Sequence, residues 1–272
     1  MSRTESSQAK QSGDQSAKPF LDSLDASLPA LPGRGPRLSP REVEVRYFVP
    51  ATLVPGLTRG LEYVSIRQHY FPSKALRSVI EQFKIAEHVR DHQEFSSGRI
   101  RRTKDKAGSC VYELEFKGPK EDAHGALISR REFGVRISKE LFEDLLPQAT
   151  AGALKKRRYE IAGKIVQAGA PVKAYGHLDV LRRAGSTLEK LPQPFCTIDI
   201  ELPSPTLLLS LRAGDHSFKF LRECVEINCL NNDLRGTLSN RALARVGLAA
   251  HALEQVQQEA DELERVLRKL GR

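Results

Sequence analysis

The sequence predicts an α+β chain built on a closed antiparallel β-barrel, with a charged lumen, an outer wall covered by helices, and a long C-terminal helix. Three observations predict it. Short runs of strict apolar/charged alternation recur along the chain, separated by Gly, Pro, Asp and Lys turns, as in a meandering antiparallel sheet. The charged positions of those runs hold acids and bases of defined type at i, i+2, where a generic solvent face mixes Ser, Thr, Gln and Lys. Between and after the runs lie segments of helical periodicity that can cover an apolar wall. At 272 residues and 40% hydrophobic content the chain can bury a sizeable core.

Residues 1–38 are rich in Ser, Gln, Lys, Pro and Gly and are expected to form a disordered tail, because they cannot bury enough apolar surface to offset their ordering entropy. Glu5 and Asp14 weigh against reading the tail as an organelle transit peptide. The main domain is expected over 39–247. It opens with "EVEVRYFVP", where Val43, Val45, Tyr47 and Val49 share one face and Glu42, Glu44 and Arg46 the other. "YVSIRQHYF" follows, and then a Pro-led helix with Leu76, Val79, Ile80, Phe83 and Ala86 on one side. Further strands are expected at "GRIRRT", "CVYELEFKG", "ISRREFGVRI", "KKRRYEIAG", "AYGHLDVL" and "FCTIDIELP", with helices at "SKELFEDLLPQ" and "SPTLLLSLR". Residues 248–272 are expected to form a C-terminal helical extension. Its seam from Ala249 through Leu253, Val256, Ala260, Leu263 and Leu267 to Leu270 has coiled-coil spacing, and a homodimer through it is the alternative to docking on its own domain.

The 43 Lys and Arg against 34 Asp and Glu give a formal net charge of +9, which favours polyanionic partners without choosing among them. Cys110, Cys196, Cys224 and Cys229 lack paired C-x-x-C spacing and are expected to be reduced. With no secretory signal and no run long enough to span a bilayer, no membrane partner and a cytoplasmic location are expected. The seven histidines are scattered without metal-ligand spacing and are expected mostly at the surface.

One amphipathic charged strand is unremarkable, but here the pattern repeats. Arg99 and Arg101 share a face, as do Glu113, Glu115 and Lys117, Arg130 and Glu132, Lys156 and Arg158, and Asp199 and Glu201, with Asp179 added from "HLDVL". Turned inward, these faces need mutual compensation, since unpaired buried ions are very costly. Guanidinium and ammonium groups neutralise phosphate oxygens, and carboxylates hold Mg²⁺ or Mn²⁺. A metal-bound polyphosphate suits both sets.

At these residues the chain resembles the CYTH family, the triphosphate tunnel metalloenzymes. The family's opening E-x-E-x-K/R is similar to Glu42, Glu44 and Arg46, and its I-x-Q-x-Y strand to Ile66, Gln68 and Tyr70. Its paired arginines resemble Arg99 and Arg101, its K-G strand end Lys117 and Gly118, its R-x-E-x-E strand Arg130 and Glu132, and its K-x-R strand Lys156 and Arg158. A late aspartate resembles Asp179, an E-x-E strand Asp199 and Glu201, and a closing S-N-x-x-L-A segment "LSNRALA"; the resemblance spans residues 41–247.

The resemblance implies a tunnel fold and metal-dependent hydrolysis of inorganic triphosphate or a nucleoside or other organic triphosphate. Arg46, Arg99, Arg101, Lys117, Arg130, Lys156 and Arg158 would bind substrate, while Glu42, Glu44, Glu132, Asp199 and Glu201 would hold Mg or Mn. Glu42, Glu44, Lys117 and Glu201 would carry the catalytic work, and Asp179 would join them or fix a neighbouring arginine. Three departures stand out: Gly134 where the family has the second glutamate of R-x-E-x-E, Leu238 where Tyr often precedes S-N, and a longer segment between Tyr70 and Arg99. A polyphosphate- or nucleotide-binding module without turnover and a nucleotide cyclase of the same family are the alternatives. Nucleic acid is disfavoured as a partner, because aromatics make up only 6% of the chain and its cations alternate with acids.

Overall fold

The computed structural model describes residues 37–82, 95–118, 121–123, 127–185 and 187–227, together with Asn240 and Ala244. The expected C-terminal helix, nearly all of the expected tail and the second half of the first helix lie outside the described residues. Strands β1 (Arg37–Phe48), β2 (Tyr63–Tyr70), β3 (Ser97–Lys104), β4 (Cys110–Lys117) and β5 (Glu121–Ala123) are followed by β6 (Leu127–Ile137), β7 (Ala153–Gln167), β8 (Ala170–Ala184), β9 (Glu189–Leu202) and β10 (Val225–Glu226). Among the described residues, four α-helices interrupt them: α1 (Val54–Leu57), α2 (Ser73–Gln82), α3 (Lys139–Leu145) and α4 (Leu207–Ala213).

All ten strands belong to one sheet, in the order β10-β1-β9-β8-β7-β2-β3-β4-β6-β5, and the pairings with given register are antiparallel. The α+β class expected from the sequence is observed. The expected simple closed barrel is corrected in form: the sheet has ends at β10 and β5, and β1 is paired along both edges. One edge meets β9 over Val43–Phe48; the other is divided between β6, from Arg37 to Glu44, and β10, at Tyr47 and Phe48. The β1–β6 register shifts between Ser39 and Glu42, where Pro40 cannot donate to a ladder.

Alternation then sorts the side chains. Val43, Val45 and Tyr47 pack with Leu178, Val180, Ile198 and Ile200 in one apolar cluster, completed by Leu207, Leu208 and Leu211 of α4. That helix is short because Gly214 takes a positive φ of 85° at its end, a conformation glycine adopts without penalty. α2 buries Leu76, Val79 and Ile80, one face at helical spacing, and Gly98 of β3 leaves the room that Leu76 occupies. α3 starts at Ser138, whose Oγ accepts the Leu141 amide at 3.1 Å, and buries Phe142 against Tyr112. A second cluster around Phe48, Tyr70, Leu154, Leu181 and Phe195 includes Ala244 of the "LSNRALA" segment. Cys110 is exposed, Cys196 and Cys224 are buried, and all three are free thiols.

Gly163 on β7 is a close-approach glycine: a Cβ there would lie 2.3 Å from the ring of the buried Phe218. Gly163→Ala is therefore expected to lose about 1–3 kcal/mol through overpacking, read as a lower urea midpoint at unchanged slope.

Candidate functional site

On the opposite side of each strand from the first apolar cluster runs a set of charged and polar residues, most of them directly opposed, with Phe48, Tyr70 and Leu154 of the second cluster in phase with them. Across β1–β9, Arg46 faces Asp199 and Glu44 faces Glu201. Asp199 in turn faces His177 across β8–β9, and Asp179 faces Arg158 across β7–β8. Gln68 and Tyr70 of β2 face Arg101 and Arg99 of β3, which face Glu113 and Glu115 of β4. Lys117 faces Glu132, Glu115 faces Gly134, and Glu42 and Arg130, placed here by register alone, return the series to β1. Residues far apart in sequence share this surface because antiparallel register puts opposed positions on one face.

The basic groups are held by acids. The Arg46 guanidinium donates to both Asp199 oxygens at 2.5 and 2.7 Å and lies 3.8 Å from Glu44. Burial works against its charge, yet Asp199 outweighs it and the Arg46 pKa rises above the ordinary guanidinium range. Asp179 accepts from Lys156 at 2.5 Å and from two nitrogens of Arg158, each at 2.8 Å. Burial again opposes the charge, and Arg158 and Lys156 hold the Asp179 carboxyl well below its usual value. Asp179 thus acts as the fixing partner for two of the predicted phosphate-binding side chains. Lys156 is only 2% exposed, and that burial lowers its pKa to about 7 despite the Asp179 charge.

Arg99 pairs with Glu115, Lys117 pairs with Glu132, and Arg101 donates to Glu113 at 2.9 Å while also reaching Glu115 at 2.5 Å. Glu115 is buried, and Arg101 and Arg99, then Lys117, keep it ionised far below the usual carboxylate range against its burial. Gln68 is fully buried; its Nε2 donates to the Tyr70 hydroxyl at 2.9 Å, while its Oε1 has no partner among the described atoms. An unsatisfied buried acceptor costs free energy and marks places built for something besides stability.

The structure thus gathers Glu44, Arg46, Arg99, Arg101, Lys117, Glu132, Lys156, Arg158, Asp179, Asp199 and Glu201 on one surface. Two further residues of this surface, Glu115 and His177, were left out of the expected site by sequence reasoning. Glu115 was visible as a charged position on β4, but the family pattern assigns it no role, and only the register shows it bridging two arginines. His177 is not a surface histidine: its Nδ1 lies 2.9 Å from Glu201, and that hydrogen bond lowers the Glu201 pKa.

The carboxylates are oxygen donors of the type a hard divalent cation takes. Among the described residues, however, no three His, Cys, Asp or Glu side chains come together as a cation site. Asp179, Asp199, Glu115 and Glu132 are each engaged by a basic group instead. Of the other expected metal-binding carboxylates, Glu44 and Glu201 occupy opposed positions on β1 and β9, and the side chain of Glu42 lies outside the described residues.

No family model matches the chain, and no curated protein matches it. Among solved structures it is similar to the crystal structure of the inorganic triphosphatase NE1496, at 18% identity and a TM-score of 0.37, over 74% of this chain and 95% of that one. A second structure, described as the hypothetical protein NE1496, matches at 18% identity and a TM-score of 0.35, over 75% and 97% of the two chains.

Gly134 sits in an unbroken stretch of β4–β6 register, and a Cβ there would make only an ordinary contact, 3.7 Å from Glu115 Cγ. Gly134→Ala is expected to be tolerated or to stabilise by about 0.4–1 kcal/mol, because the unfolded chain loses freedom. Gly134→Glu places a like charge opposite Glu115 and is expected to lower the melting temperature. Adding Glu115→Gln should recover part of that loss beyond the sum of the single effects. Additive melting shifts in this double-mutant cycle would mean the two positions do not face each other.

Proposed function

We propose that this chain binds a triphosphate, inorganic or carried on a nucleoside or other organic group, within the charged surface and hydrolyses it. In this reading the β1–β6 pairing turns that surface into the lumen of a tunnel. One observation carries the reading: Arg46, Arg99, Arg101, Lys117, Lys156 and Arg158 come from four strands to one face, each already holding a carboxylate. A single monovalent anion cannot displace several such pairs. A chain of phosphates can, because it presents many oxygens to several cations at once and recovers the desolvation already spent on the site.

The substrate is the magnesium or manganese complex of the triphosphate, so the cation arrives with the phosphates. As the guanidinium and ammonium groups turn to phosphate oxygens, their carboxylates are released. Arg99 and Arg101, anchored on one strand and backed by Glu113 and Glu115, fix the orientation of the phosphate chain. Lys156 and Arg158, held by Asp179, approach it from β7. Donors that are aimed beforehand stabilise developing charge without reorganising, and this is where the protein contributes to phosphoryl transfer. Glu44 and Glu201, on opposed positions of β1 and β9, remain to orient an attacking water.

A polyphosphate-binding module without turnover is the second reading. It is favoured by the absence of three converging carboxylates among the described residues and by Gly134. Calorimetry beside a phosphate-release assay separates the two, using inorganic triphosphate, pyrophosphate, ATP, GTP and thiamine triphosphate with Mg²⁺, with Mn²⁺ and with neither. Release of phosphate from at least one triphosphate supports hydrolysis; binding without release leaves the module; neither binding nor release overturns both.

Arg99→Ala is expected to raise the half-saturating triphosphate concentration by about tenfold or more, as loss of a charged hydrogen bond in a partly dry site requires. Lys156 gives a pH dependence of definite sign. Its ammonium is charged below about 7 and neutral above, so triphosphate affinity should fall as pH rises through that region. Isothermal titration across pH 6–9 checks this, and the corresponding inflection should be absent from Lys156→Met.

A further inference from the structure

The +9 charge of the chain is not concentrated in the site just described, where Arg46, Arg99, Arg101, Lys117, Lys156 and Arg158 each hold an acid. A separate set of cations lies on the other face of the sheet. Across β2–β3, Arg67 directly opposes Arg102; across β2–β7, Arg67 opposes Lys155. Lys155 opposes Arg183 on β8, and Arg183 opposes Lys190 on β9. Five neighbouring strands thus each place one cation in a single row, about 19 Å from end to end at the usual strand spacing. Beside it Arg157 opposes Ser65, which opposes Lys104 on its other side.

Directly opposed like charges destabilise a sheet. Among the described residues no carboxylate pairs with any cation of the row. Arg67 instead donates to His69 Nε2 at 2.8 Å, and Arg183 donates to the Leu188 carbonyl at 3.3 Å. Burial and then the neighbouring Arg102 lower the Arg67 pKa, and burial and then Arg67 lower that of His69 to about 4. His69 therefore stays neutral at pH 7 and adds nothing to the row. Lys155, Arg183 and Lys190 are exposed, and Arg67 and Arg102 are half-buried.

A cavity of about 340 Å³ opens on this face, lined by Tyr63, Ser65, Lys155, Arg157, Arg182 and Arg183 among others. Its aromatic wall is the second observation. The Arg157 guanidinium lies 4.5 Å over the Tyr63 ring, which packs 5.5 Å from Tyr159 and is itself 38% exposed.

We propose that this outer face binds single-stranded nucleic acid. The cation row takes the phosphate backbone, and the Tyr63–Arg157 pair provides a platform for an unpaired base. A repeating row of unpaired cations calls for a repeating anion, and phosphodiesters supply one charge per nucleotide. An exposed ring backed by a guanidinium is of use to a base and of no use to inorganic polyphosphate. A duplex has its bases stacked away from such a platform, so the single strand is selected.

The test is fluorescence anisotropy with a labelled oligouridylate of about 12 nucleotides, within the usual site sizes for such surfaces. The oligouridylate should bind with a clear salt slope. Lys155→Glu/Arg183→Glu should weaken binding about tenfold or more and reduce the slope by about two, with a melting temperature equal to or above the parent's, since like-charge oppositions are relieved. Tyr63→Leu should weaken oligouridylate binding while Tyr63→Phe retains it, and neither should alter binding of a polyphosphate of matched charge. No binding by the parent protein, or equal binding by the charge-reversed double variant, overturns the proposal. So does tighter binding of the matching duplex, or polyphosphate binding as tight as oligouridylate binding with no effect of Tyr63→Leu.

Discussion

The fold depends on one constraint: on a strand, committing one face to the core commits the other face as a whole. With Val43, Val45 and Tyr47 packed under α4, Glu44 and Arg46 have no choice of side. On the side they take they are buried, and there a lone charge would be untenable. The sheet answers by register. Arg46 meets Asp199, Arg99 meets Glu115, and Arg158 meets Asp179, each pair on directly opposed positions of neighbouring strands. A slip of one residue would bury charge in the apolar clusters and expose leucine and isoleucine to the charged side. The ion pairs add little net stability over an apolar core of the same shape, but they penalise every wrong register heavily.

That division of labour explains what could be read in advance. Alternation is local, so the strands from "EVEVRYFVP" to "FCTIDIELP", the helices bearing Leu76 and Phe142 and most of the charged set were legible in the sequence. Pairing is not local. Nothing near Glu115 announces that it bridges Arg99 and Arg101, and nothing near His177 announces Glu201. The short strands β5 and β10 carry too few residues for a periodic signal. β1 begins at Arg37, earlier than its alternation suggests, because Pro40 interrupts the pattern where the β1–β6 register shifts.

The same reasoning accounts for the outer cations. In the linear sequence Arg67, Arg102, Lys155, Arg183 and Lys190 are far apart, and Arg102, Lys155 and Arg183 merge with the basic neighbours beside them. Their neighbours in sequence point to the other face, and their neighbours in space come from other strands. A stripe assembled across a sheet has no signature along the chain. The two faces therefore differ in kind: one holds charges in neutralised pairs, the other holds like charges side by side.

The divided edges of β1 also set an order of events. Arg46 and Asp199 lie 153 residues apart, so the first strand of the sheet is made long before its principal partner exists. At ordinary rates of synthesis that interval is roughly 10–30 s, during which Val43, Val45 and Tyr47 form an apolar ribbon beside unpaired backbone groups. Sheets completed by such distant pairings gain their stability late, after most of the chain entropy has been lost. Until β9 is made, the apolar side of the first strand waits for the neighbours that will cover it.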